Sequence, residues 1–179
     1  DHTHPDSIIA LATMKNGEKI VKKLFNNKLG WLPWQRPGFD LGLKMEKLIL
    51  ENPHIEGIVL GHHGLFTWGD SNEECYNNSI RLIKTAQIYL NKNIKKFPFG
   101  KPVYKNAKSK INILRGLLSE ENYKIAHTNQ SQIVLEFVNS SNIHKVSKIG
   151  TSCPDHFLRT KRLPLILPSL SKIYNSKEK

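Results

Sequence analysis

Ile55-Glu56-Gly57-Ile58-Val59-Leu60-Gly61-His62-His63-Gly64-Leu65-Phe66-Thr67-Trp68 decides the fold of this chain. Its β-branched centre, Ile58 and Val59 followed by Leu60 and a glycine, reads as a short buried strand, and Leu65–Trp68 reads as a second one. The first strand delivers His62 and His63 at its end. Downstream, Gly69-Asp70-Ser71 is a turn with a helix cap. Glu73 and Glu74 complete a capping-box pattern and complement the helix dipole. The helix that follows runs to about Leu90, with Tyr76, Ile80, Ile83, Ala86 and Leu90 at core spacing.

Upstream the alternation continues. Asp40–Leu50 reads as a helix that Asn52-Pro53 ends. Trp31–Phe39, with two prolines and a glycine, reads as a rigid aromatic loop. Glu18–Phe25 is amphipathic and is broken by Asn26-Asn27 and Gly30. The chain opens on Asp1-His2-Thr3-His4-Pro5, and a short helix capped by Asp6 or Ser7 is expected next.

Two histidines two apart on an extended strand project from one face, so His2 and His4 can reach one ion. A third, remote histidine from the His62-His63 pair completes a facial set of three nitrogens with positions left open. That is the arrangement of a catalytic zinc, since structural sites close with four protein ligands, often thiolates. His54, His127 and His144 sit in no patterned context and read as surface or satisfied core residues.

Composition bounds the remaining classes. The chain has 179 residues, 39% hydrophobic, enough for a globular domain with an appendage. No apolar run approaches the roughly 20 residues that span a bilayer, and no secretory signal pattern opens the chain, so a cytoplasmic protein without a membrane partner is expected. Cys75 and Cys153 form no CxxC, which argues against a disulfide framework or a thiolate zinc cluster. The net charge of +12 comes from 27 lysines and arginines against 15 acidic residues, with 22 lysines to 5 arginines and the lysines spread over most of the sequence. Without an arginine-rich stripe or a docking motif this does not indicate nucleic acid, although it favours a modestly anionic substrate.

Beyond Asn91 the character changes. Residues 94–110 read as a basic connector between a core over 1–93 and an extension over 111–179. Ala107–Leu118 suggests a helix, Tyr123–His127 a strand, and Ile133–Val138 a strand or a helix. The lysine-rich end, 175–179, is expected to fray. Cys153 and His156 have CxxH spacing, but two further ligands for a metal are lacking.

The HxHP pair and the segment His62-His63-Gly64-Leu65-Phe66-Thr67-Trp68-Gly69 together resemble the class II aldolase/adducin family over roughly residues 1–93. The resemblance implies a divalent metal, usually zinc, held by His2, His4 and His63, with His62 a neighbour. It implies a three-layer αβα sandwich around a central, largely antiparallel sheet, and a homotetramer. Asp1–Ser7, Trp34–Phe39, Gly69–Cys75 and Gly150–Lys161 look more specifically like the aldolase part of bifunctional rhamnulose-1-phosphate aldolase/alcohol dehydrogenase proteins. No GxGxxG follows, so a dinucleotide site is not expected in this chain.

That resemblance implies zinc-dependent cleavage of a ketose 1-phosphate, with L-rhamnulose 1-phosphate giving dihydroxyacetone phosphate and L-lactaldehyde. The general base in the family is a Glu upstream of HxH, here expected before Asp1, so the chain reads as an N-terminally truncated fragment. Glu73 and Glu74 are better explained as helix caps. Arg36 is a candidate for the substrate phosphate. His156 and Arg159, with Asp155, are candidates to line the pocket or hold the tail. Asp6 is a candidate carboxylate for orienting a ligand imidazole. A pentulose-phosphate 4-epimerase or a sugar-phosphate dehydratase would use the same three histidines. An adducin-like scaffold module would not need them.

Overall fold

The computed structural model describes residues 1–103, 111–119 and 121–166. The contacts divide the chain into two compact units, one built from Asp1–Ile94 with the segment from Gly150 onward, the other from Lys95–Ile149.

In the first unit four short strands form one sheet in the order β1-β4-β3-β2: β1 (His2–Thr3), β2 (Leu29–Leu32), β3 (Gly57–Leu60) and β4 (Gly64–Thr67). β3 and β4 are a tight antiparallel hairpin, Leu60 opposite Gly64, and β1 adds antiparallel to β4 with His2 opposite Phe66. β2 runs parallel to β3, Trp31 opposite Val59. Parallel neighbours need a crossover, and α3 (Phe39–Glu51) supplies it. The sheet is therefore largely antiparallel, as expected.

Side chains alternate across a sheet, and the alternation divides the core into two layers. Leu29, Val59 and Leu65 point to one face and pack with Ile8, Leu11 and Ala12 of α1 (Asp6–Thr13), Val21 of α2 (Gly17–Leu24), and Leu82 and Ala86 of α4 (Asn72–Asn93). Ile58 and Leu60 point to the other face with Leu41 and Ile55, and Leu32, Met45, Leu48 and Phe66 pack around them. Helices on both faces make the unit an αβα sandwich.

Four local features differ from, or refine, the sequence expectations. β2 lies where only a break and an aromatic loop were expected. Gly30 does not interrupt it: Leu48 and Ile55 pack close over its Cα, where a Cβ would lie 2.9 Å from Leu48 Cδ2 and 3.0 Å from Ile55 Cδ1. The N-cap of α1 is Pro5, without a side-chain cap, while Ser7 is buried and donates to the Ile83 carbonyl at 3.3 Å. On α4 the expected capping box is present: the Glu74 N–H donates to Ser71 Oγ at 3.1 Å, and the Asp70 N–H to Glu74 Oε2 at 2.8 Å. The short helix α8 (Pro154–Arg159) closes the described part of this unit.

The second unit contains α5 (Ile111–Leu118), α6 (Gln132–Val138) and α7 (Ile143–Val146). Ile133–Val138 is thus helical, with Gln132 Nε2 donating to Glu136 Oε1 at 2.9 Å. Tyr123–His127 is not a strand: Tyr123 and Ile125 are fully exposed, and no strand pairs with them among the described residues. Phe99 meets Phe137 edge to face at 5.1 Å. The expected connector at 104–110, the helix start at 107–110 and the end at 175–179 fall outside the described residues.

Candidate metal centre

Three imidazoles converge on the α3 side of the sheet. His2 leaves β1 on the same face as its partner Phe66, whose ring stacks on it at 4.1 Å and 11°. His4 follows two residues later, immediately before Pro5 starts α1. His63 is the last residue of the β3–β4 turn, where its N–H donates to the Leu60 carbonyl at 3.1 Å. Its neighbour His62 takes a left-handed backbone, φ 55°, and is exposed, so the turn aims His63 inward and leaves His62 outside. Gly64, next in the chain, has to be glycine: a Cβ would stand 2.6 Å from both His4 Cδ2 and the Thr3 carbonyl oxygen.

His2 Nε2 lies 3.0 Å from His4 Nε2 and 3.2 Å from His63 Nε2, and one ligand nitrogen from each ring falls within 4.8 Å of the others. Two nitrogens on one tetrahedral zinc, each about 2.0–2.1 Å from it, would be about 3.3 Å apart. The donor set therefore fits a single ion. The tautomer at His2 also fits: Nδ1 is 3.0 Å from the Leu65 carbonyl oxygen, which can only accept, so Nδ1 carries the proton and Nε2 presents a lone pair. Neutral His2 and His63 rings are favoured. Desolvation lowers the His2 pKa below the ordinary imidazole value, against the Leu65 hydrogen bond, and desolvation with the neighbouring rings lowers that of buried His63.

The cluster sits in an open groove of about 850 Å³. The groove is lined by Leu41, Met45 and Ile49 of α3, by Phe66 of β4, and by Pro154, Asp155 and Leu158 of α8. Asp155 Oδ2 stands 3.9 Å from His4 Nδ1, and its Oδ1 accepts from Arg159 Nε at 2.9 Å. The Arg159 hydrogen bond holds the Asp155 carboxyl below the usual carboxylate range.

Other residues singled out in the sequence take different places. Asp6 is exposed in the first turn of α1, and the carboxylate near a cluster imidazole is Asp155 instead. Arg36, His156 and Arg159 are not among the groove-lining residues, although their neighbours Pro37, Asp155 and Leu158 are. Arg36 is exposed, and half-buried His156 has Nδ1 3.2 Å from Ser152 Oγ. Cys153 is buried as the N-cap of α8, and among the described residues the metal-capable cluster contains neither it nor His156. Glu46, another groove residue, carried no sequence signal, because it occupies an ordinary exposed helical position.

An αβα sandwich that gathers three histidines from a strand end and a hairpin turn defines the class of protein. The family described as "Class II Aldolase and Adducin N-terminal domain" matches residues 1–90, and "Aldolase class II, second domain" matches 105–178. The chain belongs to the class II aldolase and adducin family. A curated relative, "Uncharacterized oxidoreductase YuxG" of Bacillus subtilis (strain 168), is 38% identical over 177 residues, covering 93% of this chain and 26% of the relative. The chain thus spans about a quarter of that relative's length. Among solved structures, the N-terminal class II aldolase domain of a conserved Thermoplasma acidophilum protein is 30% identical with a TM-score of 0.44, over 50% of this chain and 40% of that one. An aldolase II superfamily protein from Pseudomonas syringae is 24% identical with a TM-score of 0.41, over 50% and 37%.

Proposed function

We propose that this chain is the metal-bearing part of a class II aldolase that cleaves a ketose 1-phosphate, L-rhamnulose 1-phosphate, to dihydroxyacetone phosphate and L-lactaldehyde. The observation that carries the reading is the convergence of the His2, His4 and His63 Nε2 atoms in an open groove. Three neutral imidazoles would hold a divalent ion, zinc by the chemistry of the donor set, and leave its remaining positions to substrate. Such an ion supplies an electrophile for the ketone and stabilises the negative charge that develops when the C–C bond breaks.

The residues of the chain do the rest. The Leu65 carbonyl keeps the His2 proton on Nδ1. The apolar side chains of Leu41, Met45 and Ile49 in the groove lining suit the methyl end of a deoxy sugar. The excess of lysine favours an anionic substrate over the whole surface. Glu74 is engaged in the cap of α4. Arg36 remains a candidate for the substrate phosphate, and His156 and Arg159 for substrate contacts at the edge of the site. A homotetramer would follow from the family resemblance.

An assay of the whole protein with rhamnulose 1-phosphate, fuculose 1-phosphate and ribulose 5-phosphate tests this. Release of dihydroxyacetone phosphate from the first, abolished in His63→Ala, is expected. Epimerisation of ribulose 5-phosphate without cleavage of either ketose 1-phosphate would replace the reading with an epimerase.

A further inference from the structure

We propose that Asp155, held by Arg159, is a positioning residue for His4: its carboxylate accepts a hydrogen bond from the Nδ1–H of that imidazole, which keeps the proton on Nδ1 and turns Nε2 toward His2 and His63. The inference rests on the metal reading above and adds to it a role for a segment about 150 residues away in sequence.

The geometry comes from both edges of one ring. On one edge His4 Nε2 is 3.0 Å from His2 Nε2; on the other, Nδ1 is 3.9 Å from Asp155 Oδ2. A separation of 3.9 Å is longer than a hydrogen bond and too short to admit a water between the atoms, so a shift of about 1 Å closes it to bonding distance. His2 already has the corresponding arrangement, with its Nδ1 against the Leu65 carbonyl. A metal-ligating histidine usually gives its second ring N–H to a carbonyl or a carboxylate, which fixes both tautomer and ring orientation.

Asp155 is itself fixed. Arg159 lies one turn further along α8, and its Nε donates to Oδ1 at 2.9 Å, leaving Oδ2 for His4. Pro154 at the start of the helix restricts the backbone just before the carboxylate. The other groove carboxylate, Glu46, has no ion pair with a cluster imidazole among the described residues.

The test uses the chain as wild type, Asp155→Ala, Asp155→Glu and Arg159→Gln, each checked for a native circular-dichroism spectrum and melting curve. Zn²⁺ affinity is read by chelator competition, the ligand field by the visible spectrum with Co²⁺, and the His4 tautomer by ¹⁵N chemical shifts without metal. Asp155→Ala should weaken Zn²⁺ by about 10- to 100-fold, alter the Co²⁺ bands and mix the His4 tautomers while leaving His2 unchanged. Asp155→Glu should recover part of that loss, and Arg159→Gln should show a smaller one. An Asp155→Ala protein with wild-type affinity, spectrum and tautomer overturns the proposal. If the wild type binds neither ion, the metal reading fails, and the His4 tautomer in metal-free protein still decides the role of Asp155. If Asp155→Ala does not fold, Arg159→Gln decides it by the same readouts.

Discussion

The Nδ1 atom of His2 lies 3.0 Å from the carbonyl oxygen of Leu65, its diagonal neighbour on the adjacent strand. The sheet therefore does more than place the imidazole: the same strand pairing that builds the fold sets the ring's tautomer. Register and ligand chemistry are linked, because a slip of one residue would turn His2 to the opposite face.

Gly64→Ala should damage the cluster more than the core. The added methyl would clash with His4 and with the Thr3 backbone, and overpacking of this kind costs about 1–3 kcal/mol. We expect zinc affinity to fall by about tenfold or more, as when the surroundings of a ligand are disturbed. Isothermal titration with zinc, alongside a melting curve, measures both.

Leu82→Ala should have the opposite profile. Leu82 is 1% exposed between α4 and the far face of the sheet, so truncation leaves a cavity and costs about 2–5 kcal/mol. Denaturant unfolding should show this loss, while the folded variant retains wild-type metal stoichiometry.

Much of this arrangement is legible in the sequence, and the exceptions have physical causes. The strand Ile58–Leu60 and the capped helix α4 carry strong local signals, apolar clustering in one and a serine-glutamate cap in the other. β2 is hidden because its four residues pair in parallel with a buried strand and its glycine is there for packing, which no local pattern announces. Ile133–Val138 satisfies both periods, and as a largely exposed segment it becomes part of the seven-residue helix α6. The HxH pair and the His-Gly dipeptide mark three imidazoles. The Leu65 carbonyl and the Asp155 carboxylate reach them only through tertiary structure, so their roles are invisible before the fold.

Metal retention should depend on pH in a defined direction. Burial lowers the His2 and His63 pKa values, so these two rings take up protons, and compete with the metal, at lower pH than an ordinary imidazole. Over a range of about pH 8 to 4, zinc affinity should therefore fall at the acid end, as the pH passes through the lowered His2 and His63 values. Competition titrations across that range check this, and a decline beginning well above pH 7 would contradict it.

Glu56 should contribute acid-sensitive stability. It accepts from Lys28 Nζ at 2.8 Å and from Arg81 Nη2, joining the start of β2 to α4, and these partners lower its pKa, the Lys28 bond foremost. A lowered carboxyl pKa stabilises the fold above its unfolded value of about 4.3 and is lost as the pH falls through the folded value. Glu56→Gln should cost up to about 1 kcal/mol at pH 7, and the difference from wild type should vanish in strong acid. Urea unfolding at pH 7 and at pH 3 measures both ends.

The central claim is that His2, His4 and His63 hold one metal ion, and direct metal analysis of the purified chain tests it most immediately. Elemental analysis after zinc loading and removal of excess should give about one zinc per chain in the wild type and in His62→Ala. It should give almost none in His2→Ala, His4→Ala or His63→Ala, each verified as folded. Zinc absent from the folded wild type, or retained at full stoichiometry after loss of any one of the three imidazoles, would contradict the account.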